Sequence, residues 1–320
     1  MQLRPLGATG IAIAPVVFGG NVFGWTIDEA TSFSVLDAFA DHGFNAIDTA
    51  DVYSRWAAGN QGGESETIIG KWLQARPSRR DQVVLFTKVG ADMGLGKRSL
   101  AADWIARAVE DSLRRLRVER IDLYFSHWPD PDTPHEETLG AYARLQAAGK
   151  VRAIGASNYS AQQLGDALAV ARSQGLPAYQ VLQPEYNLAD RPSYEGPLRA
   201  LCLREGLGVV TYYSLASGFL SGKYRSQSDL AGSARERGVA KYLGARGTAI
   251  LDALDSVAAS HGATPAEVAL AWLIAREGVT APIASATSVR QVESFAKAAA
   301  LQLALTETAA LDAASATQPA

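Results

Sequence analysis

The sequence predicts one α/β domain over residues 1–320, folded as a closed (β/α)8 barrel of the TIM type with an N-terminal hairpin capping its floor. Three observations predict it. Short apolar runs recur along the chain, and most are followed by a helical stretch. The runs are continuously apolar rather than alternating, as in parallel strands covered on both faces. Eight of them can be counted, which favours closure over an open sheet.

In order, Leu6-Gly7-Ala8-Thr9-Gly10-Ile11 reads as a tight hairpin before the barrel starts. The first strand is Val16–Phe18. The second, Ala46–Asp48, precedes a helix over Glu64–Ala75. The third, Val83–Phe86, precedes Leu100–Leu116. The fourth, Ile121–Phe125, precedes His135–Ala147, and the fifth, Val151–Gly155, precedes Ala161–Ser173. The sixth, Tyr179–Gln183, precedes Ser193–Arg204, and Val209–Tyr213 and Ala281–Ala284 complete the set. Ser214 to about Gly247 reads as one long irregular stretch, of the kind that tends to be functional. The tail from Thr306 reads as a short helix and a frayed end.

Bulk properties narrow the function. Apolar residues make up 48% and charged residues 20%, ordinary for a globular protein with a large core. A net charge of −3 gives no basic footprint for nucleic acid. No apolar run is long enough to span a membrane. The opening Met1–Leu6 is too short and polar for a signal peptide, and Cys202 is the only cysteine, so a cytoplasmic location is expected. Cys202 lies in a helical apolar pattern and reads as a buried structural thiol. No His/Cys cluster has metal-ligand spacing. The sequence leaves the oligomeric state open.

In a parallel barrel, function gathers where the strands end. Those ends carry Asp48-Thr49-Ala50-Asp51-Val52-Tyr53, Thr87-Lys88, Ser126-His127-Trp128-Pro129, Ala156-Ser157-Asn158 and Gln183-Pro184. A phenol is too weak an acid for efficient proton transfer at neutral pH. A lysine ammonium beside it stabilises the phenolate, and a carboxylate orients that lysine. An imidazole opposite can polarise a carbonyl oxygen. Tyr53, Lys88, Asp48 and His127 could thus protonate a developing alkoxide as hydride arrives. No side chain supplies hydride, so a nicotinamide or flavin is implied.

Singly, each of these residues has an ordinary explanation. A tyrosine after a strand usually packs, and a lone Asp often caps a helix or forms a turn. Together, and with their flanking segments, they resemble the aldo-keto reductase family. Gly43-Phe44-Asn45-Ala46-Ile47-Asp48-Thr49-Ala50-Asp51-Val52-Tyr53 resembles the family's first signature, and Thr87-Lys88 and His127-Trp128-Pro129-Asp130 resemble the sites of its Lys and His. The resemblance implies a catalytic tetrad of Asp48, Tyr53, Lys88 and His127. It implies that Ser157, Asn158 and Gln183 bind a nicotinamide carboxamide. Tyr213-Ser214-Leu215-Ala216-Ser217-Gly218-Phe219-Leu220-Ser221-Gly222-Lys223 resembles the loop that stacks an aromatic on the nicotinamide and wraps the pyrophosphate, with Tyr213, Ser214, Leu215, Ser217, Gly218 and Lys223 as binding residues. Ser285, Thr287, Arg290 and Gln291 occupy the place of the 2′-phosphate site, where many members are more basic. NADP(H) is the cofactor implied, with NAD(H) second.

Trp25, Trp56 and Trp128 fall on loops at the same barrel end and are expected to line a pocket for a small carbonyl or alcohol substrate. Specificity is expected to rest on the loops near Trp25, over Ala57–Gly63, over Gly90–Ser99 and around Trp128. Gly90–Lys97 faintly resembles a phosphate loop, but Ala91 and Arg98 break the pattern. Gly62-Gly63-Glu64-Ser65-Glu66 reads as a turn into a helix with acidic residues in its first turn. His42, His135 and His261 are given no role. The family's fold and tetrad also occur in potassium-channel β subunits, so a cofactor-binding regulatory subunit is the alternative. The chain's start almost at the hairpin, without an extension to act on a partner, favours an enzyme.

Overall fold

The computed structural model describes residues 1–231 and 236–316, without the side chain of Arg237. Strands β1 (Arg4–Pro5) and β2 (Ala12–Ile13) pair antiparallel as a hairpin. Eight parallel strands follow: β3 (Val17–Gly19), β4 (Ala46–Asp48), β5 (Val84–Val89), β6 (Ile121–Ser126), β7 (Val151–Ser157), β8 (Val181–Gln183), β9 (Gly208–Thr211) and β10 (Ala281–Ala284). They form a closed barrel in chain order, with β10 pairing both β9 and β3. The (β/α)8 architecture and its N-terminal hairpin are as the sequence predicts.

The helices are α1 (Glu29–Asp41), α2 (Glu64–Ala75), α3 (Ala102–Leu116), α4 (His135–Ala147), α5 (Ala161–Gln174), α6 (Pro197–Glu205), α7 (Glu236–Val239), α8 (Ala245–His261), α9 (Pro265–Ala275), α10 (Val289–Ala300) and α11 (Leu305–Ser315). Several starts are fixed by local chemistry. Ser160 and Gln163 form a reciprocal capping box on α5, and Thr264 and Glu267 form one on α9. The expected helix over Ser193–Arg204 begins later, at Pro197. Gly196 stands at φ 86° and Pro197 is preorganised for the first helical position.

Three further differences have physical reasons. Helix α1 follows the first strand although no helix was assigned there; Asp28 caps it by accepting from the Thr31 amide. The strand expected to end at Tyr213 stops at Thr211, because Tyr213 adopts φ 52°. The stretch after Ser214 is not wholly irregular: it contains 3-10 turns at Ala216–Ser221, Gln227–Leu230 and Ala240–Tyr242 and the short α7. Part of that stretch, 232–235, and the expected frayed end, 317–320, lie outside the described residues.

Two apolar layers hold the fold. Outside the barrel, strand residues such as Leu85, Tyr124 and Ile154 pack against the helices. Inside it, Val17, Phe86, Leu123, Phe125, Val181 and Val210 fill the lumen together with Leu6, Ile11 and Ile13 of the hairpin segment. The hairpin therefore plugs the end where the strands begin. Gln180 Nε2 donates to Ala8 O at 2.9 Å, and Arg152 Nη2 donates to Gly10 O at 2.7 Å. Gly7 sits at φ 55°, where a Cβ would fall 2.5 Å from Gln180 O and from Gly208 N, so only glycine fits. With the floor closed, the rim at the strands' carboxyl ends is left to form a site.

Cys202 is buried on α6, and burial pushes its thiol up to about 12, so it is inert at neutral pH. Among the described residues, no helix is long and apolar enough to cross a membrane.

Candidate active site

Strands β4 and β5 deliver the first pair of groups. Asp48 closes β4, and Lys88 lies near the end of β5, two residues beyond Phe86, the Cα partner of Asp48. Phe86 points into the lumen, so Lys88 does too. Lys88 Nζ donates to Asp48 Oδ2 at 2.7 Å, to Thr49 O at 2.8 Å and to Tyr53 Oη at 2.9 Å. Its three donors are thus all used. Lys88 is fully buried and Asp48 is 1% exposed, so this ion pair is shielded from solvent.

The loop carrying Tyr53 is tied down at successive residues. The Thr49 amide donates to Phe86 O at 2.9 Å, and Thr49 Oγ1 donates to Ser65 Oγ at 2.8 Å. The Asp51 amide donates to Lys88 O at 3.3 Å. Ser54, at φ 74°, donates to Phe23 O. This turn presents the Tyr53 hydroxyl between Lys88 and Asp48 Oδ2, to which it donates at 3.3 Å.

The electrostatics differ from the sequence-based expectation in one respect. Burial, reinforced by the Asp48 carboxylate, holds the Tyr53 phenol well above its ordinary range. Lys88 touches the hydroxyl but does not make it an easy acid, because Asp48 offsets its charge. Burial also draws the Lys88 ammonium down, while Asp48 pulls it back up. The resting phenol is therefore protonated at neutral pH and ready to donate.

His127 stands at the end of β6, its ring centroid 6.0 Å from that of Tyr53. Burial, then the charges of Lys88 and Arg98, hold it well below the usual imidazole range. It is neutral at pH 7 and retains one N–H to donate. Its buried Nδ1 has no hydrogen-bond partner among the described residues.

Strands β7 to β9 supply amides and hydroxyls beside this group. Ser157 Oγ donates to Gln183 O at 2.8 Å, and Gln183 Nε2 donates to Asp48 Oδ1 at 2.8 Å. Asn158, at φ 63°, donates to His127 O at 2.8 Å and accepts from the Tyr212 hydroxyl at 2.6 Å. Tyr213 is 50% exposed at the rim, and Asn187 Nδ2 holds its carbonyl at 3.0 Å. Tyr213, Ala216, Ser217 and Gly218 all take positive φ, a run of left-handed backbone in a short loop.

The structure thus gathers Asp48, Tyr53, Lys88, His127, Ser157, Asn158 and Gln183 into one connected cluster. Trp56 joins it at 5.9 Å from the Tyr53 ring, Trp25 packs on Trp56 at 5.6 Å, and Trp128 stacks on His127 at 6.0 Å. Other expected residues sit farther along the rim or face away. Ser214 is buried, its hydroxyl turned back onto Thr211 O. Leu215 is partly buried against the core, and Lys223 is exposed over the Tyr224 ring. Ser285 donates to Asn21 at 2.6 Å. Thr287 and Gln291 bond one another at the start of α10, beside the exposed Arg290.

Several contributors escaped the sequence reading. Thr49 meets Lys88 through its carbonyl, which no motif reports. Tyr212, which orients Asn158, reads as a strand residue. Glu66, read as an acidic residue of a helix's first turn, does sit there but is wholly buried; it accepts from Thr87 Oγ1 at 2.6 Å and pairs with Arg115 at 2.7 Å. Beside it Asp51 is 2% exposed with neither oxygen bonded among the described residues, and burial together with Glu66 holds its carboxyl well above the usual range. Glu66 could have been noticed as a carboxylate one helical turn from Ile69 on an apolar face; Arg115, 49 residues away, could not.

Residues 15–316 match the model of the aldo/keto reductase family. The chain is 34% identical to the uncharacterized oxidoreductase YrpG of Bacillus subtilis over 95% of this chain and 92% of that protein. It is 33% identical to the aldo-keto reductase YhdN of the same organism, over 93% of this chain and 88% of that protein. It is also 31% identical to a probable voltage-gated potassium channel subunit beta of Arabidopsis thaliana, over 93% of this chain and 91% of that protein. With a buried Asp–Lys–Tyr cluster at the rim of a closed parallel barrel and a family match over nearly its whole length, this chain belongs to the aldo/keto reductase family.

Proposed function

We propose that the protein is an NADP(H)-dependent oxidoreductase that reduces aldehydes, ketones or sugar carbonyls to alcohols. The observation that carries this reading is the Tyr53 hydroxyl held at 2.9 Å by Lys88 on one side, with the His127 ring edge-on to its own at 6.0 Å. The residues also fit a nicotinamide cofactor. Asn158 is held in the left-handed region beside His127, Tyr213 is half exposed at the rim, and the left-handed turn Ala216 to Gly218 beyond it is fixed by the Ala216 and Gly218 amides donating to Tyr213 O and Leu215 O.

When bound, the cofactor supplies the hydride that reduces the carbonyl carbon. The chain's own residues do the rest. His127 donates a hydrogen bond to the carbonyl oxygen and polarises it. Tyr53 Oη transfers its proton to that oxygen as negative charge develops. Lys88 stabilises the phenolate left behind, and Asp48 fixes Lys88 and is itself fixed by Gln183. Ser157, Asn158 and Gln183 would hold the carboxamide, Tyr213 the nicotinamide face, and Ser214, Leu215, Ser217, Gly218 and Lys223 the pyrophosphate segment. Ser285, Thr287, Arg290 and Gln291 would meet the adenosine 2′-phosphate. Arg290 has no ion pair among the described residues and could gain one there. The three tryptophans would wall the substrate pocket. The single inert thiol fits a reducing compartment such as the cytoplasm.

The similarity to a probable channel β subunit supports a second reading, a cofactor-binding regulatory subunit. Steady-state oxidation of NADPH with a panel of aldehydes separates the two. Sustained turnover supports the reductase; one slow oxidation of bound cofactor followed by a stall supports the subunit. Within the first reading, Tyr53→Phe should lower turnover by ~10² or more, the scale of acid–base contributions, with cofactor affinity unchanged. Near-normal turnover in that variant would overturn the assignment.

A further inference from the structure

On the loops beside the cluster, several acidic side chains are already engaged. Asp92 Oδ1 accepts from the Gly94 and Gly96 amides at 2.9 and 3.0 Å. Asp130 accepts from the Leu100 amide at 2.8 Å and from Thr133 at 2.6 Å. Glu64 accepts from the Gln61 and Gly62 amides. Asp132 faces Lys97 at 3.4 Å. Arg98, next to Lys97 in the loop between β5 and α3, has no ion pair or hydrogen bond among the described residues. Its guanidinium lies 4.1 Å from the centroid of the Trp128 ring, and Trp128 stacks on His127. Its charge reaches the site, since it is one of the causes that keep His127 neutral.

A solvated arginine on a loop is common, and by itself means little. This one is laid on an aromatic face whose other neighbour is a member of the tetrad. Stacking of that kind holds the guanidinium plane while leaving its N–H edge free, and that edge matches the geometry of a carboxylate or phosphate. We propose, resting on the reductase reading above, that Arg98 determines specificity: it receives an anionic group, a carboxylate or a phosphate, carried by the carbonyl substrate. The substrate then spans the pocket. Its carbonyl lies at Tyr53 and His127, its body against the tryptophans, and its anion at the edge of Arg98.

The test compares 4-carboxybenzaldehyde with its neutral counterpart, methyl 4-formylbenzoate, as substrates. It also follows the binding of benzoate, phenyl phosphate and benzamide by tryptophan fluorescence. In the wild type, kcat/KM should favour the carboxylate by about tenfold or more, the scale of a hydrogen-bonded charge pair. Arg98→Met should collapse that ratio and abolish the preference for benzoate over benzamide. Arg98→Lys should restore part of it, and Lys97→Met, which removes a neighbouring charge of the same sign, should keep it. Benzoate bound more tightly than phenyl phosphate identifies a carboxylate site, and the reverse a phosphate site. A wild-type ratio near one, or a ratio unchanged in Arg98→Met, overturns the proposal while leaving the reductase reading intact. Arg98-dependent binding of either anion without turnover of any carbonyl keeps the anion site and overturns the reductase reading instead.

Discussion

At the floor of the barrel, polar side chains meet backbone partners and stay with them. Asn45 donates to Ala12 O and accepts from the Ala14 amide, Gln180 holds Ala8 O, and Arg152 holds Gly10 O. At the opposite rim the pattern is different. Two Asp51 oxygens and His127 Nδ1 are buried without partners among the described residues, three ionisable groups share one set of contacts, and non-glycine residues accept left-handed backbone. The floor is built from interactions that are complete, so they stabilise. The rim keeps groups incomplete or strained, so they remain able to exchange a proton or accept a ligand.

Substitutions at the two ends should separate these roles. The largest effect is expected from Lys88→Met. It leaves Asp48 buried without its cation, which costs about 3–5 kcal/mol of stability, and it removes the charge that stabilises the Tyr53 phenolate. Carbonyl turnover should fall by ~10² or more, and thermal unfolding should move down together with it. An active, stable Lys88→Met protein would break the comparison at its strongest point.

Next comes Gly7→Ala on the floor. Positive φ and backbone atoms at 2.5 Å should cost about 2–5 kcal/mol, while kcat/KM below the transition is preserved. A loss of activity without a loss of stability would contradict the division. Asn158→Gly should do the reverse. It relieves the left-handed strain at φ 63° but gives up the bonds to His127 O and from Tyr212, so stability should fall by only about 1–2 kcal/mol, while the cofactor dissociation constant should rise about tenfold, as for one lost hydrogen-bonding group. Equilibrium titration beside a melting curve reads both quantities.

The smallest effect concerns pH. Because His127 is held below, and Tyr53 above, their ordinary ranges, carbonyl reduction should show no inflection near the usual imidazole value of ~6.5. Alcohol oxidation, which needs the phenolate, should rise with pH through neutrality. For folding the sign follows from linkage. An imidazole kept neutral in the folded state binds fewer protons than in the unfolded chain. Its contribution is therefore present above ~6.5 and is lost as pH falls below it. His127→Gln should flatten that acid slope; an unchanged slope would place the titrating group elsewhere.

Much of the fold was legible because its signal is local. Helix α2 lies over Glu64–Ala75 and α4 over His135–Ala147, as their periodicity indicates. The grouping of Asp48, Tyr53, Lys88 and His127 was legible because a parallel barrel sends every strand end to one rim, so sequence order becomes proximity. What was not legible depends on long-range placement. The pairing of Glu66 with Arg115 needs two helices packed side by side, and the height of the Tyr53 pKa depends on how deeply the hydroxyl is enclosed. Arg98 looked like a defect in a phosphate-loop pattern; only its position over Trp128 gives it chemistry.

The hairpin floor also has a consequence for how the molecule comes into being. Arg4 donates to the carbonyls of Ile274 and Thr280, and β3 finds its outer neighbour only in β10. These elements are therefore completed by others that are made some 270 residues later. At synthesis rates of about 5–20 residues per second, the first strand and the apolar hairpin wait on the order of tens of seconds for their partners. During that interval Leu6, Ile11, Ile13 and Val17 have no lumen to fill. The nascent chain is an unclosed ribbon with a sticky leading edge, and the step that turns it into a vessel is the arrival of Ala281–Ala284.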